Sequence, residues 1–99
     1  MAYKLIWSPA ARDDLHDIVV FIARDNPNRA MSFGYKLISK TNRLQEFPEV
    51  GRIVPEYRND DIREIIFQLY RIVYRVDHDH ALCEIARVWH SARGIPELS

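Results

Sequence analysis

The residues able to do chemistry gather in the second half of this 99-residue chain. Arg63, Arg71, Arg75, Arg87 and Arg93 carry fixed positive charge, and His90 follows Trp89 between the last two of them. The planar fork of arginine holds a carboxylate or a phosphate through two parallel hydrogen bonds, so such a group suits an anionic partner. Eleven Arg against three Lys fit that reading, and fit equally the base composition of the gene. A histidine among arginines is an expected base, because like charge opposes its protonation. Cleavage of RNA through its own 2′-hydroxyl needs a base, cations for the phosphorane and an acid for the leaving oxygen. Arg71, Arg87 and His90 are the candidate catalytic residues for that chemistry, with Glu64 and Glu84 as nearby carboxylates. The alternative for His90 is a packing or interface role. No Gly-rich phosphate loop, nucleophile elbow or H-E-x-x-H is present. His78 and His80 alternate with Asp77 and Asp79, but on a turn such a cluster reads as a solvated loop. No metal and no cofactor is therefore expected.

Composition bounds the rest. The length predicts a single domain over residues 1–99 with one core. Apolar residues make up 47%, with two Trp, five Tyr and four Phe, as in a folded globule. Fourteen basic and fourteen acidic residues sum to zero, which argues against general attraction to phosphate backbones but not against a local patch. The lone Cys83 forms no internal disulfide and points to a reducing compartment. The N-terminus lacks a signal-peptide pattern, and the longest apolar run, Ile18–Ala23, falls short of a membrane span. A cytoplasmic protein without a membrane partner is the expectation.

Several elements must position those side chains. Tyr3–Trp7 reads as a strand. Ser8-Pro9 supplies a helix start, with Asp13 and Asp14 near the positive end of the helix dipole. Leu15, Ile18, Val19 and Ile22 form one apolar stripe, and Asn26-Pro27 stops the helix. A second helix is predicted from about Asn28 to Phe47, with Ala30, Phe33, Leu37, Ile38, Thr41, Leu44 and Phe47 on its core face. The short break makes the pair an antiparallel hairpin. Arg52–Asp61 reads as a polar connection. Ile62–Phe67, Tyr70–Asp77 and Ala81–His90 read as three strands of an antiparallel meander, followed by a Gly94-Ile95-Pro96 tail. The fold class is α+β, in the order β-α-α-β-β-β, with the helical hairpin packed on one face of an antiparallel sheet.

Strand alternation then predicts which residues share a face. Arg63, Arg71, Arg75 and Arg87 all occupy odd positions, opposite Ile62 and Ile66, Ile72 and Val76, and Val88. With those apolar residues under the helices, the four arginines project from the uncovered face beside Ile65, Val73, Ile85 and Trp89. An apolar-plus-arginine surface suits a partner; a solvated face of arginine–carboxylate pairs is the plainer alternative.

The chain resembles toxins of the RelE/ParE superfamily, the growth-arresting half of bacterial type II toxin–antitoxin pairs, over nearly its whole length. The resemblance rests on W-S-P-A-A-R-D-D-L-H-D-I at Trp7–Ile18, F-P-E-V-G-R at Phe47–Arg52, I-R-E-I at Ile62–Ile65, Y-R-I-V-Y-R-V at Tyr70–Val76 and I-A-R-V-W-H at Ile85–His90. It implies a β-α-α-β-β-β fold, a cognate antitoxin and one of two targets. RelE-like members cut mRNA in the ribosomal A site, whereas ParE-like members, of the plasmid stabilization family, inhibit DNA gyrase. In the RelE branch the arginine at the place of Arg71 binds phosphate. That branch also carries lysines where this chain reads I-R-E-I-I-F-Q-L, and a C-terminal tyrosine, whereas no tyrosine follows Tyr74 here. Arg87-Val88-Trp89-His90 is similar to the R-[IV]-L-H ending of ParE members. The resemblance thus implies a ParE-like toxin acting on gyrase. The alternatives are a RelE-like mRNA interferase or other nuclease acting on translating ribosomes, and a non-toxic protein-binding module. Arg63, Arg71, Arg75, Arg87, Trp89, His90 and Arg93 are the residues expected to meet the target or the antitoxin.

Overall fold

The computed structural model describes residues 2–98. Strand β1 (Lys4–Trp7) runs into Ser8, whose Oγ accepts the Ala11 N–H at 3.0 Å and caps helix α1 (Pro9–Ala23). The same hydroxyl donates to the Ala86 carbonyl at 2.9 Å, so the cap also ties the helix to the sheet. Asn26 caps helix α2 (Pro27–Asn42) in the same way, accepting the Arg29 N–H at 3.1 Å, with Pro27 in the first position. This second helix ends earlier than its sequence pattern predicts, giving way to a 3-10 turn at Arg43–Gln45. Ala30, Phe33, Leu37, Thr41 and Leu44 are buried as expected. Ile38 and Phe47 are not: they are 40% and 55% exposed.

Strands β2 (Arg52–Ile53), β3 (Ile62–Phe67), β4 (Tyr70–Asp77) and β5 (Leu82–His90) complete a five-stranded sheet in the order β1-β5-β4-β3-β2. The two-residue β2 and a 3-10 turn at Pro55–Tyr57 lie in the stretch that reads as a plain polar connection. The sheet is mixed rather than antiparallel, because β1 pairs with β5 in parallel. Tight turns force β3, β4 and β5 to alternate in direction, whereas the long chain between β1 and β5 leaves their relative direction free.

The helical hairpin covers one face. Ala11, Phe33, Leu37 and Leu44 pack there against Ile72, Tyr74, Val76, Cys83, Ile85 and Val88. Tyr74 lies in this core with its hydroxyl at work: it accepts the Gly51 N–H at 2.9 Å and donates to the Pro48 carbonyl at 2.8 Å. That pins the turn leading into β2. Gly51 is required there, since a Cβ would sit 2.6 Å from the Tyr74 hydroxyl and 2.7 Å from the Glu64 carbonyl. Among the described residues no helix is long and apolar enough to cross a membrane.

Candidate functional site

Register decides which arginines meet. Across β4 and β5, Arg71 lies opposite Trp89, Tyr70 opposite His90, and Val73 opposite Arg87. The pairing then slips, so that Tyr74 faces Ile85 and Ala86 has no residue opposite. This bulge inverts the parity of β5. Glu84 and Arg87, three residues apart, both turn to the face away from the helices, beside Arg71 and Arg75. Ile85, expected on that open face, is instead fully buried under the helices.

Arg63 does not join the group. It pairs in register with Tyr74, and Ile65 pairs with Ile72, so both turn to the helical side. The expectation failed because Ile62 and Ile66 do not lie under the helices. They oppose Arg75 and Arg71 on the open face. Ile62 packs there in a small second core with Val54, Val73, Tyr57 and Leu98, while Ile66 is 49% exposed. Arg63 spends its guanidinium on the Gly51 carbonyl at 2.8 Å and on Glu49 at 3.2 Å.

The remaining arginines are engaged internally. Glu64, with a side chain wholly out of solvent, receives Arg71 Nε at 2.5 Å on one oxygen and Arg52 Nε at 2.6 Å on the other. Arg71 also donates to the Gly94 carbonyl at 2.9 Å. Hydrogen bonding to Glu64 raises the Arg71 pKa, fixing its charge more firmly. Asp14, on α1, grips Arg87 in a two-pronged pair at 2.7 and 2.9 Å and accepts the Val88 N–H at 2.9 Å. That bond raises the Arg87 pKa likewise. Asp14 therefore serves the sheet rather than the start of its own helix. Arg75 holds Glu84 more loosely, at 3.5 Å.

Trp89 is flanked by guanidiniums, with Arg93 Cζ 3.8 Å and Arg87 Cζ 4.6 Å from its ring centre. Its Nε1 is buried and finds no hydrogen-bond partner among the described residues. His90 closes β5 and caps the following 3-10 turn, its Nδ1 accepting the Ala92 N–H at 3.1 Å, with its ring edge-on to Tyr70. In the neutral ring this leaves the proton on Nε2. His90 then offers a donor outward, not the lone pair a general base needs. Beside it, a cleft of about 420 Å³ opens between α1 and the end of β5, lined by Asp17, Phe21, Tyr70, His90 and Arg93.

The open face is itself partly covered. The tail after Gly94 crosses it: Pro96 is fully buried, its carbonyl takes the Tyr57 hydroxyl, and Leu98 packs on Val54, Ile62 and Val73. Burial raises the Tyr57 pKa. At the opposite end of the strands, His80 pairs with Asp77 at 2.8 Å and His78 accepts or donates at the Tyr3 hydroxyl at 2.8 Å. Among the described residues, no three such groups converge on a metal position. Sequence reasoning missed the anchoring roles of Glu64, Asp14 and Arg52. One signal was present: a lone glutamate among branched apolar residues in I-R-E-I-I demands a cation if it is buried.

Residues 5–95 match the family described as ParE toxin of type II toxin-antitoxin system, parDE. Among curated proteins none matches the chain. Three solved structures share its fold. A chain of the chromosomal ParDE system from P. aeruginosa aligns with TM-score 0.73 and 18% identity, over 90% of this chain and 96% of that one. One from the toxin–antitoxin complex RelBE2 of Mycobacterium tuberculosis gives TM-score 0.64 and 23% identity, over 91% and 99%. A free-state arginine-to-alanine mutant of the E. coli toxin RelE gives TM-score 0.69 and 17% identity, over 95% and 88%.

Proposed function

Because the chain belongs to the ParE toxin family of type II toxin–antitoxin systems, we propose that it arrests growth by binding and inhibiting DNA gyrase, without cutting nucleic acid. One observation carries this reading. The two arginines best placed to hold a scissile phosphate, Arg71 and Arg87, are already neutralised by Glu64 and Asp14. A nuclease would have to break both pairs before its cations met a phosphate, and leaving the buried Glu64 with Arg52 alone is costly. The His90 tautomer supports the same side, since a donor cannot accept the 2′-hydroxyl proton. Zero net charge also suits a protein target better than ribosomal RNA.

A cognate antitoxin is the second partner. It covers the toxin with a segment that orders on binding, and growth resumes when both are expressed.

The test pairs two assays on the purified chain. Gyrase supercoiling of a relaxed plasmid should be blocked, or cleaved complexes trapped, while mRNA on translating ribosomes stays intact. Cuts at defined codon positions that vanish in His90→Ala and Arg71→Ala, with supercoiling unaffected, would replace this reading by the mRNA-interferase one. Normal growth after induction of soluble chain would leave only a non-toxic binding module.

A further inference from the structure

Helix α2 hides the most polarised surface of a chain whose charges cancel. Between Asn26 and Gln45 there is no acidic residue, while Arg29, Lys36, Lys40 and Arg43 recur at spacings that place them along one flank. None of the four forms an ion pair among the described residues, and all are exposed. The lower end of this stripe, Lys40 and Arg43, rims a notch of about 250 Å³ against the sheet, shared with Val50, Arg52, Ile65 and Ile66.

The notch exists because β2 is too short. It pairs only with Arg63 and Glu64, leaving the outer edge of β3 open from Ile65 to Phe67. Backbone directions follow from the neighbours. Val54 N–H donates to the Ile62 carbonyl at 3.2 Å, whereas Asp61 accepts from Val76 on the β4 side at 2.8 Å. Even-numbered residues of β3 thus turn their main chain outward, and the N–H and C=O of Ile66 have no protein partner among the described residues. Gly51, held by the Tyr74 hydroxyl, bends the chain away before it can fill this edge.

An open strand edge, apolar side chains on both its faces (Ile65 on the helical side, Ile66 on the open side) with Val50 beside them, and two free cations at the helical rim describe one kind of occupant. We propose that an extended segment of the antitoxin, acidic and bearing apolar side chains, docks here as an added strand. Its main chain pairs with Ile66, its apolar residues lie on Val50 and Ile66, and its carboxylates meet Lys40 and Arg43. A nucleic-acid backbone would use the cations but neither the strand edge nor the apolar side chains. Arg71 and Arg87 do not compete for the carboxylates, because Glu64 and Asp14 already hold them. The inference rests on the toxin–antitoxin reading for the identity of the partner, and adds where and how that partner binds.

The experiment uses the chain co-purified with its cognate antitoxin. Hydrogen exchange should slow at the Ile66 amide in the complex, and Lys40→Glu/Arg43→Glu should weaken the complex at least about tenfold. Arg24→Glu, a single charge reversal at the far tip of the hairpin, should leave affinity within about twofold, since an exposed charge beyond the screening length of salt contributes little. Arg24, Lys40 and Arg43 are all exposed, and unchanged circular dichroism confirms that the variants fold. A complex that forms with Ile66 unprotected and equal affinity for the double variant overturns this docking site while leaving the toxin–antitoxin reading intact. Absence of any complex overturns both. Binding of a short DNA duplex that is lost in the double variant, with antitoxin binding unchanged, reassigns the stripe to nucleic acid.

Discussion

Glu64 is the residue on which the open face turns. A carboxylate wholly removed from water survives only with its charge matched, and Arg71 and Arg52 supply two cations for its two oxygens. Arg71, itself 11% exposed, is the inner partner. Arg71→Ala should therefore cost about 2–4 kcal/mol, a little under the usual penalty for breaking a buried pair because Arg52 remains. Arg75→Ala, which removes an exposed pair, should cost less than about 1 kcal/mol. Urea denaturation of the two variants checks the contrast, and equal losses would mean that Glu64 does not depend on Arg71. Tyr74 makes a second residue-scale case. Burial pushes its pKa from 10.0 up to about 12. The neutral phenol is the form the fold favours. Its advantage is complete below pH 10 and drains away as pH rises towards 12. An ultraviolet titration should show one tyrosine ionising last, near pH 12, and that step should vanish in Tyr74→Phe. The same substitution strands the Gly51 N–H and the Pro48 carbonyl, for a loss of about 1–3 kcal/mol. A titration complete by pH 11 would contradict the buried, doubly bonded hydroxyl.

At the scale of elements, the joint between α1 and β5 is made by polar groups as much as by packing. Ser8 reaches the Ala86 carbonyl, and Asp14 reaches Arg87 and the Val88 N–H, so helix and strand are sewn together on both sides of the bulge. A double-mutant cycle of Asp14→Ala and Arg87→Ala should return a coupling of about 1–3 kcal/mol. A coupling near zero would show that the two prongs are not formed in solution. The caps and stripes of both helices were legible, because Ser8-Pro9 and Asn26-Pro27 act on backbone groups only two or three residues away. The parity of β3 and β5 was not. Ile62 and Ile66 look like core residues by type, yet their face is set by Arg75 and Arg71 across the strand. The slip at Ala86 likewise belongs to a pair of strands and leaves no mark in either alone.

The molecule as a whole divides its charge. Asp14 of α1 turns to the sheet while Asp13 and Asp17 stay exposed, the basic residues of α2 remain outside, and the sum of zero conceals this arrangement. Its two faces are also closed differently. The helices cover one with a large core, whereas the other is crossed by the Gly94–Leu98 tail over Val54, Ile62 and Val73. Ending the chain after Arg93 should uncover those three residues and release Arg71 from the Gly94 carbonyl. A stability loss of about 2–4 kcal/mol, with increased binding of a hydrophobic dye, is the expected outcome. Unchanged stability would mean that the tail contributes no packing.

Local chemistry was enough to place two capped helices, the meander strands and Arg71, Arg75, Arg87 and Trp89 on one face of the sheet. Those features arise from alternation, turn residues and contacts close along the chain. Tertiary structure decided the rest. The parallel pairing of β1 with β5 joins residues nearly 80 positions apart, as in Lys4 with Leu82. The engagement of Arg71 by Glu64 and of Arg87 by Asp14 depends on which side chains meet across strands and layers. An arginine in a sequence is a cation available to any anion; in the folded chain, Glu64 and Asp14 have already claimed Arg71 and Arg87.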